Sequence, residues 1–283
     1  MSGRVLAGRE LAATIRAGVA ERAADAGHRP ALAVVSATED EASAWYVRSI
    51  AKAAGTVGIE CRLVDLGPAV GPDQITDTLA RLSADDRISG VILQTPLPGG
   101  ARLAALAGAI DPGKDVDGAN PRSLGRLAAG LPAFPPATAA AVLAILDHYR
   151  VPLAGRRAVV VGRSTVVGKP VAQLLLDRDA TVTVCHSRTV DLPSVTGTAE
   201  LLVVAAGRAH LLGPRDVAPG AVVVDVGANP TPDGGLAGDV DPAAGQRAGA
   251  LTPVPGGVGP VTTALLLQHT MDAAEGAGGG GPG

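Results

Sequence analysis

Short apolar runs alternate along the chain with stretches whose apolar residues recur at helical spacing. Ala31–Ser36 (ALAVVS) reads as a buried strand. Residues 41–58 follow as a helix closing at a glycine, with Tyr46, Ile50, Ala54 and Val57 on one stripe. A strand at 61–66, a helix at 72–82 and a strand at 90–94 (GVILQ) complete a β-α-β-α-β series. That order predicts a parallel sheet covered on both faces. Prolines punctuate 132–136 (PAFPP), and an Ala-rich helix at 137–149 links what reads as two lobes. A second α/β series begins with a strand at Arg157–Val161 and a helix at 168–177. Strands at Thr181–Cys185, 200–205 and 221–226 come next, and 260–273 is a closing helix. The Gly-rich end, 274–283, reads as a disordered tail. There is no repeat at a solenoid period.

Composition narrows the function classes. The chain has 283 residues, 47% of them hydrophobic and 18% charged, with a formal net charge of −3. That balance gives no overall attraction to nucleic acid or to an anionic membrane. The aromatic residues are few (Trp45, Tyr46, Phe134 and Tyr149), so a base-stacking platform has little material. Cys61 and Cys185 are too few for a disulfide framework and lack metal-ligand spacing, so no metal is expected. The first dozen residues carry Arg4, Arg9 and Glu10 with no apolar core for a secretory signal. No charge-free run reaches the roughly 18 residues that span a bilayer. The expectation is a cytoplasmic protein.

The clearest candidate chemistry follows the strand at Arg157–Val161, in the segment GRSTVVGKP at 162–170. Gly162 at the strand end permits a tight turn, and Gly168 opens a helix whose first amides can hold a pyrophosphate. The spacing departs from GxGxxG, and an ordinary β-turn-α connection accounts for it equally well. The next strand ends at Cys185. NAD enzymes often place a carboxylate there for the ribose 2′-hydroxyl, but here His186, Ser187 and Arg188 follow. With Ser187, Arg188 and Arg163 as donors and no carboxylate to repel a 2′-phosphate, the pattern points to NADP over NAD. A solvated Arg188 is the bland alternative. Three more turn-rich segments lie near strand ends: QTPLPG at 94–99, KDVDG at 114–118 and TPVPGGVGP at 252–260. Each alone is an ordinary surface loop. Together they suggest one shared cleft, because open α/β sheets bind ligands at such ends.

Taken with ASAWYV at 42–47 and VDVG at 224–227, these segments resemble the bifunctional methylenetetrahydrofolate dehydrogenase/cyclohydrolase (FolD-type) family from about residue 6 to about residue 270. The resemblance implies an α/β fold of two lobes, an N-terminal parallel-sheet catalytic lobe and a Rossmann-like NADP-binding lobe. The expected boundaries are 1–136 for the folate-binding catalytic domain, completed by the helix at 260–273, and 137–259 for the NADP-binding domain. Implied, too, are a homodimer, NADP as cofactor and tetrahydrofolate derivatives as substrates. The implied reaction oxidises the methylene bridge to a methenyl cation, which bifunctional members hydrolyse to 10-formyltetrahydrofolate.

Carried over residue by residue, the resemblance makes Tyr46, Gln94 and Asp117 catalytic. Ser43, Tyr46, Asp117, Pro255, Gly256, Gly257 and Val258 become substrate-binding, and Gly162, Arg163, Ser164, Gly168, Ser187, Arg188, Gly207 and Gly227 cofactor-binding. Two departures stand out. The family has Tyr-x-x-x-Lys on the helix, whereas the fourth residue after Tyr46 is Ile50. One turn places Ile50 against Tyr46, where the expectation has it facing the cleft, and Lys52 lies about 200° round the helix from Ile50. Isoleucine brings neither proton nor charge, so hydrolysis is expected to be weak or lost while hydride transfer survives. The family's Pro-Cys-Thr-Pro at the lobe junction reads Pro136-Ala-Thr-Ala139 here, which puts the stiffness of that hinge in doubt. The competing readings are a fully bifunctional enzyme, a non-catalytic folate- or NADP-binding paralogue, and another two-lobed dehydrogenase such as a shikimate or amino-acid enzyme.

Overall fold

A computed structural model describes residues 3–276. In chain order its main elements are β1 (Arg4–Val5), α1 (Arg9–Asp25), β2 (Ala31–Ser36), α2 (Glu41–Thr56), β3 (Glu60–Asp65), α3 (Pro72–Ala84), β4 (Gly90–Leu93), α4 (Leu103–Leu106), α5 (Pro121–Ala128) and α6 (Ala137–His148). They continue with β5 (Arg157–Val161), α7 (Gly168–Leu176), β6 (Thr181–Cys185), α8 (Leu192–Thr196), β7 (Leu201–Val204), β8 (Val222–Asp225), β9 (Asn229–Pro230), β10 (Leu236–Ala237), β11 (Ala250–Leu251) and α9 (Val258–Ala274). The chain divides into two compact units. One comprises residues 1–12 and 138–262, the other 13–137 and 263–283. The first dozen residues thus belong with the strands of the second half, because β1 pairs in parallel with β11. The part of the tail from residue 277 on lies outside the described residues.

The unit of 13–137 and 263–283 holds three parallel strands in the order β3-β2-β4. β4 is buried along its whole length and β2 in all but Ser36, which is why both read as unbroken apolar runs, while β3 at an edge is partly open. The α2 helix starts where the Asp40 carboxylate accepts from the Ser43 amide at 2.8 Å and ends before Gly58 at φ 82°. Its buried residues are Ser43, Val47, Ile50 and Ala54, spaced four, three and four apart. The stripe the sequence suggests lies in or against the same core: Ile50, Ala54 and Val57 are buried together, and Tyr46 packs against them half-buried. The stripe packs with Leu32, Val34, Leu266, Leu267 and Met271 in one apolar cluster, so strands β2 and β4 and helices α2 and α9 share a core.

The other unit is a six-stranded sheet in the order β1-β11-β8-β7-β5-β6, with every pairing parallel. β5 is flanked by β6 on one side and β7 on the other, with Val161 in register with both Cys185 and Val204. The chain reverses its direction of winding at β5, and a crevice opens beyond the carboxyl ends of strands at such a switch point. The sheet has the doubly wound, Rossmann-like plan. No described helix is long and apolar enough to cross a membrane.

Candidate active site

In the six-stranded unit the segments at the switch point are the turn after β5, the His186–Thr189 turn after β6 and the segment after β7. Gly162 has φ 127°, and a Cβ on it would lie 2.2 Å from the Ala205 carbonyl oxygen. A Cβ on Gly168 would lie 2.2 Å from the Gly162 carbonyl oxygen. Only glycine lets these three backbone segments approach so closely, which leaves the first turn of α7 open to a phosphate. Arg163, Ser164, Ser187 and Arg188 are exposed. The Ser164 Oγ accepts from the Val167 amide at 3.1 Å and from the Gly168 amide at 3.4 Å, so this hydroxyl stiffens the turn. After β6, the His186 amide donates to Thr189 Oγ1 and the Arg188 amide to His186 Nδ1, closing a tight turn with the Arg188 side chain outward. The shape and the cationic donors fit a phosphorylated dinucleotide.

The amides of Gly207 and Gly227, two glycines expected at the cofactor, both bond to buried aspartates. The Gly207 amide, with those of Ala206 and Arg208, donates to the fully buried Asp239 carboxylate at 2.6–2.9 Å. The Gly227 amide donates to Asp225, which also accepts from the Asp239 and Val240 amides. These amides are committed to buried carboxylates, while Gly207 itself lies exposed after β7. The two aspartates were not singled out from sequence, though VDVG at 224–227 contains one of them. Burial, with the nearby Asp239 carboxylate, raises the Asp225 pKa, and the three backbone donors offset only part of that rise.

Pro255, Gly256, Gly257 and Val258 belong to the same unit. Gly256 has φ 107° and accepts from the Gly8 amide at 2.9 Å. A Cβ on Gly8 would lie 2.1 Å from the Gly257 carbonyl oxygen, and the Arg9 guanidinium lies against Gly256. The loop is therefore braced by the start of the chain, which the sequence did not reveal.

The three-stranded unit gathers Ser43, Tyr46, Ile50, Gln94 and Asp117. Ser43 Oγ donates to the Thr95 carbonyl at 3.0 Å, and Gln94 Nε2 donates to the same oxygen at 2.8 Å. Ser43, expected to bind substrate, is buried and ties the first turn of α2 to the end of β4. Tyr46 packs against the apolar cluster and hydrogen-bonds the Thr263 side chain. Burial and the nearby Asp117 carboxylate push its phenol well above the ordinary range, so it stays protonated. Asp117 is itself pushed up to about 7 by burial and by repulsion from Asp115, against one stabilising bond from the Ala137 amide. A carboxylic acid poised near neutrality beside a protonated phenol is the arrangement most suggestive of chemistry in this unit.

A model of the tetrahydrofolate dehydrogenase/cyclohydrolase catalytic domain matches residues 6–117, and a model of that family's NAD(P)-binding domain matches 136–277. The chain belongs to the tetrahydrofolate dehydrogenase/cyclohydrolase family. A Saccharopolyspora erythraea relative named bifunctional protein FolD 1 is 63% identical over 96% of this chain and 94% of its own. The Campylobacter jejuni bifunctional FolD methylenetetrahydrofolate dehydrogenase/cyclohydrolase superposes with a TM-score of 0.93 at 37% identity, covering 97% of this chain and 99% of that one. The Trypanosoma brucei enzyme, solved with NADP cofactor and inhibitor, gives a TM-score of 0.92 at 34% identity over 98% and 99% of the two chains.

Within this member of the family, Ile50 does not face open space. It has no accessible surface and lies in the apolar cluster with Val47 and Ala54. The expectation that it faces a cleft is corrected: residue 50 sits at the centre of the buried face, closed in by Val47, Ala54 and Val57, with Tyr46 at its edge. Lys52 is exposed, away from that face.

Proposed function

We propose that this enzyme oxidises 5,10-methylenetetrahydrofolate to 5,10-methenyltetrahydrofolate, with NADP as acceptor, and that it hydrolyses the methenyl cation to 10-formyltetrahydrofolate weakly or not at all. The single observation that carries the second half is the enclosed Ile50 at the position of the family's lysine, one helical turn from Tyr46. Oxidation removes a hydride from the methylene bridge and leaves a cation delocalised over two nitrogens. Bound NADP supplies the hydride acceptor. The tasks left to this chain are placement and proton control. The Asp117 carboxylate accepts from the N–H edge of the pterin, which offers donors in a guanidine-like array. Tyr46, held protonated, presents a ring face and a hydroxyl to the folate. Gln94 stands at the end of β4 with Tyr46's helix tied to it through Thr95. On the cofactor side, Arg163, Ser187 and Arg188 hold phosphate, with Ser164 setting the turn.

Hydrolysis needs a water made nucleophilic and a proton handled as the ring opens. Such acid–base help contributes roughly 10²–10⁴-fold in rate. Ile50, an apolar side chain within the core, supplies none of it. Hydride transfer depends chiefly on placement, so it survives. A cytoplasmic homodimer belongs to the same reading. The open edge strand β6, with Val184 exposed, supports the dimer, which sedimentation of the purified chain measures.

The fully bifunctional alternative is favoured by the names of the relatives. A coupled assay separates the two: NADPH forms from methylenetetrahydrofolate, while methenyltetrahydrofolate decays at its spontaneous rate with or without enzyme. Enzyme-accelerated formation of 10-formyltetrahydrofolate contradicts the proposal, and absence of NADPH formation points to the non-catalytic paralogue. Ile50→Lys is expected to gain hydrolysis and to lower thermal stability, since it buries an ammonium among apolar side chains.

A further inference from the structure

His269 lies on α9, in the unit that carries Tyr46 and Asp117, and nothing in the proposed reaction uses it. It is buried, and its Nδ1 is 2.8 Å from the Val116 carbonyl oxygen. A carbonyl only accepts, so the proton sits on Nδ1. Burial lowers the imidazole's pKa, which keeps the ring neutral. The ring also packs on Phe134, with centroids 5.1 Å apart and planes tilted by 35°.

The bond it makes falls on a sensitive peptide. The Val116 carbonyl belongs to the peptide unit that leads into Asp117, so anchoring it fixes the backbone on the near side of that carboxylate. On the far side Gly118, at φ 62°, is pressed against residues 134–136: a Cβ there would lie 2.4 Å from Pro136 N and 2.8 Å from the Phe134 oxygen. The next amide, Ala137, donates to Asp117 itself. His269 thus holds one side of Asp117 directly and the other through Phe134. Asp115 is engaged separately, accepting from the Ala119 and Asn120 amides at 2.9 Å, and does not substitute for this clamp.

We propose that His269 is a positioning residue that aims the Asp117 carboxylate at the pterin through the Val116 peptide and Phe134. The proposal rests on the reading that Asp117 holds the folate. Its alternative is a core histidine that contributes only to stability.

The experiment uses the full-length enzyme and four variants, with steady-state kinetics for methylenetetrahydrofolate and NADP and a thermal midpoint for each. His269→Leu leaves the Val116 carbonyl without its donor. It is expected to raise the KM for methylenetetrahydrofolate about tenfold, with kcat and the KM for NADP within about twofold. His269→Asn keeps an N–H donor at the same distance along the side chain and loses the ring. It is expected to restore the folate KM to within about threefold of wild type even if its midpoint falls. Should the leucine variant not fold, His269→Gln, whose amide lies one methylene further out, is expected to have a higher folate KM than His269→Asn. An unchanged folate KM in His269→Leu, or equal folate KM values for His269→Asn and His269→Leu (His269→Gln where the leucine variant does not fold), overturns the proposal. Asp117→Asn distinguishes the two levels. A raised KM there with none in His269→Leu removes only the positioning role, whereas an unchanged KM in Asp117→Asn removes the reading of Asp117 and the proposal with it.

Discussion

At the carboxyl end of β5, Gly162 and Gly168 meet backbone: a side chain at either would lie 2.2 Å from a carbonyl oxygen. In the three-stranded unit the groups that matter are side chains half or wholly withdrawn from water, Tyr46, Asp117 and His269 among them. The cofactor unit therefore works by shape and exposed cations, and its buried carboxylates, Asp225 and Asp239, are satisfied by backbone amides. The substrate unit works by electrostatics under burial, with Asp117 shifted to about 7 and Tyr46 kept protonated. Backbone shape tolerates no added atom but is indifferent to pH. A buried carboxyl tolerates an isosteric change in shape and is sensitive to pH. Mutation and titration should separate the two units cleanly.

The largest effect is expected from Gly162→Ala. Its φ of 127° and the 2.2 Å approach to Ala205 require both backbone strain and displacement, together about 3 kcal/mol or more of stability. NADP affinity should fall roughly 100-fold, because the turn that opens the first amides of α7 is displaced. Gly155→Ala is the control. It has φ 74° but open space around a Cβ, so only the left-handed conformation is penalised, at about 1 kcal/mol. Urea unfolding and NADP titration of the two variants read this directly, and equal losses would mean that close approach is not what Gly162 provides.

The titration of Asp117 comes next. In the unfolded chain this carboxyl titrates near 3.8 and in the folded protein near 7. Between those values the folded state holds a proton that the unfolded state has released. Its contribution to stability is present at low pH and diminishes as pH rises through that window. With Asp117 holding the pterin as proposed, function runs the opposite way, because only the anion accepts from N–H groups through both oxygens. The expected result is a KM for methylenetetrahydrofolate that falls about tenfold as pH rises from below to above 7, while NADP affinity stays level over the same range. Asp117→Asn should flatten that profile at the high-KM end. A profile that keeps its step in the variant assigns the titration to another group.

How much was legible beforehand follows the same division. The Rossmann-like strands and the turn at 162–170 are written in local terms, as an apolar run ending in glycine, so spacing placed them and the residues around them. The stripe on α2 was legible in the same way, because residues 46, 50, 54 and 57 recur at helical spacing. Ile50, Ala54 and Val57 entered the core with Tyr46 against them, whereas Ser43 joined the buried face with its hydroxyl on the Thr95 carbonyl. A polar residue satisfied by a distant carbonyl carries no periodic signal. The same is true of His269, whose partner is 153 positions away, and of Asp239, which binds amides at 206–208. The β1 strand, two residues long, has no period to detect, and α1 mixes alanine with charge all round. Family resemblance supplied Tyr46 and Asp117, but only the fold supplied their burial and thus their proton chemistry.

The smallest effect, and the finest test of the cofactor side, is expected at Arg188. Its amide is engaged in the turn with His186, while its side chain is exposed, so truncation should leave the turn and the stability intact. An exposed guanidinium on a phosphate is worth the lower end of charge-assisted hydrogen bonding, so Arg188→Ala should weaken NADP binding about tenfold. NAD lacks the 2′-phosphate, and its affinity should not move. The ratio of the two affinities is therefore the readout, because any general damage to the crevice reduces both. Arg163, exposed after β5, is a second cation for the same ligand, and truncating it should weaken both dinucleotides if it reaches the shared pyrophosphate. A ratio unchanged by Arg188→Ala would mean that this arginine is solvated, leaving Ser187 and the missing carboxylate at the end of β6 to account for the preference.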